Sequence, residues 1–340
     1  MALLEMDGFD MYASISEIAR YKFSSYSGMS LSTTGGRWGG GSLTGGNAFA
    51  VYTFAGGALT EFYMGIAFKA TSSSANAYPV LRFNSATGLE CSLYYTVTRN
   101  QWQARNGSST VLATGYRAIG YDKWNFLECR ITPDNSTGIF EFWMNGETTP
   151  LISETNVDTR ATVDTGGIIS ITLGGNSSST AWRYDDLYVC DTTGSAPWNT
   201  RLGDIRITPN VPNTDAGAND GTRSAGTTNY ENVDEVRNSG TDYVDLTDTA
   251  GQAEWYGTDA AFTSSDTILG VQSRGIIEVD TGSDLGKFGI RQSSTESFGA
   301  DQTIPAAADD LSSIFTLDPV AATQLTYSQV NSLDVGYEVV

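Results

Sequence analysis

The chain has 340 residues, 40% of them hydrophobic and 17% charged, with 39 acidic against 19 basic side chains and a formal net charge of −20. A chain this acidic repels phosphate backbones and anionic membrane surfaces, which excludes nucleic-acid binding. It contains no histidine, which removes Ser-His-Asp and Cys-His catalysis and the commonest zinc ligand. The length predicts two domains. The 17 Tyr, 14 Phe and 7 Trp suit the pleated surface of strands. A surface of Gly, Ser, Thr, Asn and Asp, in place of the Glu, Lys and Arg that face most helices, points the same way. The acidity keeps such a strand-rich chain soluble and discourages edge-to-edge pairing.

In chain order, the N-terminus MALLEMDGFDMY has no basic region and no apolar core of signal-peptide length. No stretch approaches a membrane span, so membrane insertion is not expected. Residues 62–69 (FYMGIAFK), 78–83 (YPVLRF), 89–97, 124–131 (WNFLECRI) and 139–144 (IFEFWM) are short, aromatic and β-branched. Turn clusters at 84–88 and 134–138 separate them. Alternation of faces in WNFLECRI and the short turn spacing predict a sandwich or barrel, not an α/β fold. Cys91, Cys129 and Cys190 are odd in number, distant in sequence and set in apolar patterns. They predict buried free thiols with no disulfide or metal framework. A strand at 202–207 and a Pro/Gly/Asn/Thr-rich loop at 209–228 follow. The second region has weaker strands at 243–246, 270–279, 286–292 and 314–317, and one-face apolar patterns that predict helical turns at 230–237 and 327–333.

The hairpin that ends in Asn145-Gly146, where an Asn-Gly pair tolerates the positive φ of a tight reversal, resembles the central hairpin of laminin-G-like, concanavalin A-type jelly rolls. The strand RYDDLYVCD at 183–191 resembles the closing strand of that fold, with MDGFDMY at 6–12 as its partner. The resemblance implies an all-β chain: a jelly-roll sandwich over residues 1–198 and a smaller second β-domain for virion attachment or assembly over 199–340. Taken together, DGFDMY, the GGRWG of residues 35–39, YDDLYVCDTTG, LGDIRI and the ending LTYSQVNSLDVG resemble tailed-bacteriophage virion proteins. That resemblance implies a non-enzymatic structural protein on the particle exterior, decorating the capsid or attached to the tail. Its partners would be other virion proteins and copies of itself, after synthesis in the host cytoplasm. The alternative is a glycan- or receptor-binding module of a tail fibre or tip. The chain lacks the heptads or collagen-like repeats of a fibre shaft.

The chemistry-bearing residues give no catalytic set, and the resemblance supplies none. There is no G-x-S-x-G elbow and no P-loop. Asp185 and Asp186 are adjacent on a strand, so alternation places them on opposite faces, where they cannot converge on one bond. Oxygen-rich loops around Asp134-Asn135, Asp158, Asp164, Asp215 and Asn219-Asp220 leave calcium open, although none has EF-hand spacing and such residues also stabilise turns. No other cofactor is indicated. For sugar stacking the candidates are Trp102, Trp182, Trp198, Trp255 and Tyr256, beside polar or Gly-rich segments. Trp38, Trp124 and Trp143 are assigned to the core. Arg37, in GGRWGGG with no helix pattern after it, reads as an arginine tying loops together and not as a phosphate loop.

Overall fold

The computed structural model describes residues 3–54, 56–71, 77–160, 166–175, 181–237, 242–247, 249–279 and 284–340. The chain separates into two compact units, Met1–Ile207 and Thr208–Val340. The first therefore ends at Ile207, beyond the expected residue 198. Residues 201–207 stay with the first unit because their polar groups are taken there. Arg201 pairs with Glu128 at 2.9 Å, Gly203 N donates to Glu128 Oε1 and Leu202 N to the Tyr188 hydroxyl. For the same reason 202–207 is not the strand expected, since side chains, and not a neighbouring strand, satisfy its backbone.

The first unit is a two-layer β-sandwich. One layer is built from β1 (Leu3–Asp7), β4 (Phe62–Ala70), β9 (Trp124–Thr132), β10 (Gly138–Met144), β11 (Ile152–Val157) and β13 (Trp182–Asp191). The other holds β2 (Phe23–Ser32), β3 (Ser42–Thr53), β5 (Ala77–Asn84), β6 (Leu89–Thr96), β7 (Gln101–Asn106), β8 (Val111–Tyr116) and β12 (Ser170–Gly174). All strand pairs are antiparallel, in the order β11-β10-β9-β4-β13-β3-β12-β5-β6-β7-β8, with β1 on β13 and β2 on β3. β13 joins the layers, because its residues 182–184 pair with both β4 and β3. A short helix, α1 (Ile15–Tyr21), is capped by the Ser14 side chain, which accepts from Glu17 N, and buries Ile18 beneath β2.

Aromatic rings from facing strands fill the space between the layers. Phe83 meets Phe140 at 6.2 Å, and Trp102 meets Phe142 at 4.8 Å and Tyr95 at 4.7 Å. The two end strands of the order also approach each other. A Cβ placed on Gly115 of β8 would come within 2.7 Å of Leu151 and 3.2 Å of Ile152 at the start of β11. Only a residue without a side chain fits that seam.

The second unit is smaller and also β-rich. β14 (Pro212–Asn219), β17 (Ala253–Thr258), β23 (Asp334–Val339), β19 (Asp284–Gln292) and β20 (Thr295–Phe298) form one sheet in that order, with β21 (Gln302–Ile304) on β19. Two strand pairs accompany it: β15 (Thr222–Arg223) with β16 (Val244–Asp245), and β18 (Val271–Ile277) with β22 (Asp309–Phe315). The segment expected as the loop 209–228 thus contains two strands. Of the expected helical turns, the first shrinks to a 3-10 turn at Tyr230–Asn232. The second is α2 (Tyr327–Val330), stopped at its start by a Thr326/Gln329 capping box. Its Val330 packs with Ile268, Ile290, Phe315, Leu325 and Leu333.

Candidate functional site

Two places in the first unit gather polar chemistry. The first is a carboxylate node at the join of β1, β13 and residues 33–41. Strict alternation would send Asp185 and Asp186 to opposite faces, but the register of β13 on β4 jumps between Asp185 and Tyr188, and Asp186 takes φ +49°. A bulge of this kind re-aims a side chain, and both carboxylates turn towards the same glycine-rich loop, contrary to the expectation from sequence. Arg37 N donates to Asp185 Oδ2 at 2.6 Å, and Trp38 Nε1 donates to Asp186 Oδ2 at 3.1 Å. Asp186 N donates to Asp185 Oδ1, and Ile207 N to Asp186 Oδ1, both at 2.8 Å. All four carboxylate oxygens are engaged.

Asp10 completes the node by accepting from Gly41 N. A Cβ at Gly40 would fall inside the Asp10 carboxylate, which accounts for a glycine there. The Arg37 guanidinium lies 2.6 Å from Asp204 Oδ1 and 3.6 Å from Asp186 Oδ2, and donates to the Ile205 carbonyl. Arg37 thus ties loops together, as its setting in the sequence implies. Burial raises the pKa of Asp185, and repulsion from Asp186 and Asp10 adds to it, while the Arg37 backbone N–H pulls the other way. Burial likewise raises Asp186, against the pull of the Ile207 N–H and the Arg37 charge.

The second place is the outward face of the β12-β5-β6-β7-β8 layer. Ile171, Leu81, Phe83, Leu93, Tyr95 and Trp102 point into the core, so period-2 alternation sends the residues between them outwards. Thr172 pairs with Arg82, Arg82 with Ser92, and Ser92 with Arg105, which makes one row across four strands. Along β7 the outward side chains form a relay. Arg105 Nε donates to Gln103 Oε1, Gln103 Nε2 to Gln101 Oε1, and Gln101 Nε2 to the Tyr116 hydroxyl, each at 3.0 Å. The Arg105 guanidinium lies 4.1 Å from the centre of the Tyr94 ring, a cation–π geometry. On β5, Asn84 Nδ2 donates to Thr172 Oγ1 at 2.9 Å.

The sequence-derived candidates fall elsewhere. Trp102, Trp182, Trp198, Trp255 and Tyr256, chosen as exposed stacking rings, are all buried. They occupy strands or strand joins whose apolar side faces inwards, and polar neighbours in sequence belong to the opposite face. Trp38, assigned to the core, is 53% exposed. Its ring lies beneath the Arg37 and Arg206 guanidiniums, 4.9 and 5.2 Å away. Trp124 is half-buried, with the Lys69 ammonium 5.4 Å from its ring, and Trp143 is buried as expected. In the sequence the outward polar row is screened by Trp102, whose polar neighbours read as its own surroundings and not as the opposite face of the strand. The alternation Gln101, Gln103, Arg105 around it was the available signal.

The oxygen-rich loops act as turns. Asp134 Oδ1 accepts from Ser136 N and Thr137 N, both at 2.7 Å, and these backbone donors, Thr137 first, hold its carboxyl down at about 2. Asp158 accepts from Arg160 N, Asp215 from Asn229 N and Tyr230 N, and Asp220 from Ala253 N. Asn135 and Asn219 are exposed. Asp164 lies outside the described residues. Among the described residues no three carboxylate or thiol groups converge to hold a metal. Cys91, Cys129 and Cys190 are buried and free, and burial pushes all three thiols well above the usual range.

No protein-family model matches the chain, and no curated protein matches it in sequence. Among solved structures it is similar to the cellulose-induced protein Cip1, at 12% identity over 59% of this chain and 100% of that one, with a TM-score of 0.42. It is also similar to domain 4 of AbnA, a GH43 extracellular arabinanase from Geobacillus stearothermophilus, at 14% identity over 56% of this chain and 92% of that one, TM-score 0.40. Trypanosoma rangeli sialidase shows 12% identity over 50% of this chain, TM-score 0.34. The chain spans only 29% of that sialidase's length. At these identities the likeness concerns the path of the chain alone.

Proposed function

We propose that the chain is a non-enzymatic structural protein of the exterior of a tailed-phage particle, decorating the capsid or attached to the tail, and present in many copies. The observation that carries this reading is the carboxylate node. The separate segments on which the sequence resemblance rests, DGFDMY, GGRWG, YDDLYVCD and LGDIRI, meet there through Asp10, Arg37, Asp185, Asp186 and Ile207. They form one structural unit, so their joint occurrence in the chain has a physical reason. Asp185 and Asp186 have every carboxylate oxygen occupied by a donor of the chain itself, which is the behaviour of a clamp and not of an acid–base pair awaiting a substrate. With a net charge of −20, copies must meet at locally neutral patches or against basic partners, and added salt weakens their repulsion. The test is sedimentation of the isolated protein across an ionic-strength series, with mass spectrometry of purified particles. Association that strengthens with salt and recovery of the chain from intact particles support the proposal. A chain that stays monomeric throughout and is missing from particles ends it.

The outward sheet face favours a second reading, a saccharide-binding module of a tail tip or fibre. Amide and hydroxyl groups in register, beside the Tyr94 ring, offer the mixture of hydrogen bonds and aromatic surface that sugar hydroxyls and ring faces use.

A further inference from the structure

We infer that the outward face of β5, β6 and β7 takes an anionic saccharide, with its acid groups held between Arg82 and Arg105. The inference rests on the second reading above and adds the chemical class of the ligand.

The row Arg82–Ser92–Arg105 places two guanidiniums two strands apart. At about 4.8 Å per strand the arginine backbones stand roughly 10 Å from each other. Ser92, the residue between them in the row, is small and buried. Two like charges so placed repel each other. Several other arginines of the chain are neutralised by a neighbouring carboxylate. Arg117, Arg130, Arg201, Arg274 and Arg291 each pair with a carboxylate. Among the described residues neither Arg82 nor Arg105 has a carboxylate within ion-pair distance. The nearby Glu90 is buried and receives the Ser85 hydroxyl at 2.6 Å. Arg82 Nε is buried with no acceptor among the described residues, and the guanidinium lies against Gly175 at the end of β12, which leaves its terminal nitrogens as the groups a ligand could meet.

Arg105 is pre-positioned. Stacking on Tyr94 and the Gln103 carbonyl oxygen fix its plane and use its Nε and one terminal nitrogen. The other terminal nitrogen remains for a ligand oxygen, and a guanidinium fork fits a carboxylate or sulfate in two-point fashion. On a chain with a net charge of −20, this face offers an acidic ligand two guanidiniums that stand in one row of the sheet. The relay through Gln103, Gln101 and Tyr116 supplies partners for uncharged hydroxyls. An acid group with flanking hydroxyls describes an acidic sugar.

The test is calorimetric titration of the full chain at low and moderate salt with four probes: tetragalacturonate, a chondroitin sulfate tetrasaccharide, neutral cellotetraose and poly-glutamate. The inference expects at least one acidic saccharide to bind about tenfold or more tighter than cellotetraose and poly-glutamate, and to weaken as salt rises. The two acidic arms separate carboxylate from sulfate. R82Q and R105Q should each lose about tenfold on the acidic arm, the magnitude of one charged hydrogen bond, and leave cellotetraose unchanged. R105K, which keeps the charge and loses the fork, should fall between wild type and R105Q. Cellotetraose binding as tightly as the acidic sugars, with R82Q and R105Q silent, overturns the inference and leaves the saccharide reading in place. Poly-glutamate matching the acidic sugars overturns the inference in favour of an acidic peptide. No saccharide binding in any arm overturns both.

Discussion

Arg37→Met tests how the carboxylate node is held. The substitution keeps the length and apolar stem of the side chain and removes its charge. Arg37 is 12% exposed and Asp186 1%, so the pair is buried, and removing one partner of a buried pair costs about 3–5 kcal/mol. The 3.6 Å separation from Asp186, without a direct hydrogen bond, puts this pair at the lower end. Asp204, 35% exposed, adds less than about 1 kcal/mol. The loss should therefore be about 3–4 kcal/mol at pH 8. For a unit of this size that lowers the melting temperature by about 2–4 °C per kcal/mol. The loss must depend on pH. Asp185 and Asp186 have folded-state pKa values raised by burial, so their ionisation opposes folding. Stability is greatest where both are protonated, near and below the ordinary carboxylate value of about 4, and falls as pH rises through the raised values. Without the Arg37 charge the Asp186 value climbs further, and the fall extends to higher pH. Chemical denaturation followed by near-UV circular dichroism, at pH 5 and pH 8, measures both. An equal loss at the two pH values, or a loss under about 1 kcal/mol at pH 8, refutes the reasoning.

Trp102→Ala should cost about 3–5 kcal/mol, because its ring bridges the layers against Tyr95 and Phe142 and its Nε1 donates to the Arg117 carbonyl; thermal melting checks this, and a mutant that melts like wild type would sink the packing described. Trp124→Ala, at a half-buried ring, should cost clearly less in the same assay. Cys91, Cys129 and Cys190 should resist a thiol reagent at pH 8 in the native protein and all react in denaturant, since burial keeps them protonated; rapid labelling of any one in the native state contradicts its placement. Incubation with β-glucans should release no reducing ends, and release abolished by changing a single Asp or Glu would refute the non-enzymatic reading.

The sandwich was legible where periodicity and burial agree. The segments FYMGIAFK, WNFLECRI and IFEFWM became β4, β9 and β10 within a residue or two, because aromatic and β-branched runs between turn clusters have few other ways to bury their surface. Exposure of individual tryptophans was not legible. Trp38 and Trp102 exchanged roles, since a ring's burial depends on which face the register presents and not on its neighbours in sequence. The convergence of Asp185 and Asp186 was hidden for a related reason. It needs a bulge and a left-handed residue at position 186, and alternation alone denies both. The strands of 212–223 were obscured by Pro, Gly and Asn, which read as loop although their backbone pairs with β16 and β17.

The seam at Gly115 bears on how densely such chains can be stored. A sheet normally ends in strands whose backbone groups are open to a passing copy, and crowded copies then template one another into fibres. Here the last strand of one layer is pressed against the last strand of the other, with no side chain at position 115 to hold them apart. A bulky residue there would pry the seam open and give the neighbour a landing strip. Glycine at 115 therefore keeps the two end strands of the sandwich closed on each other and away from pairing with a second copy.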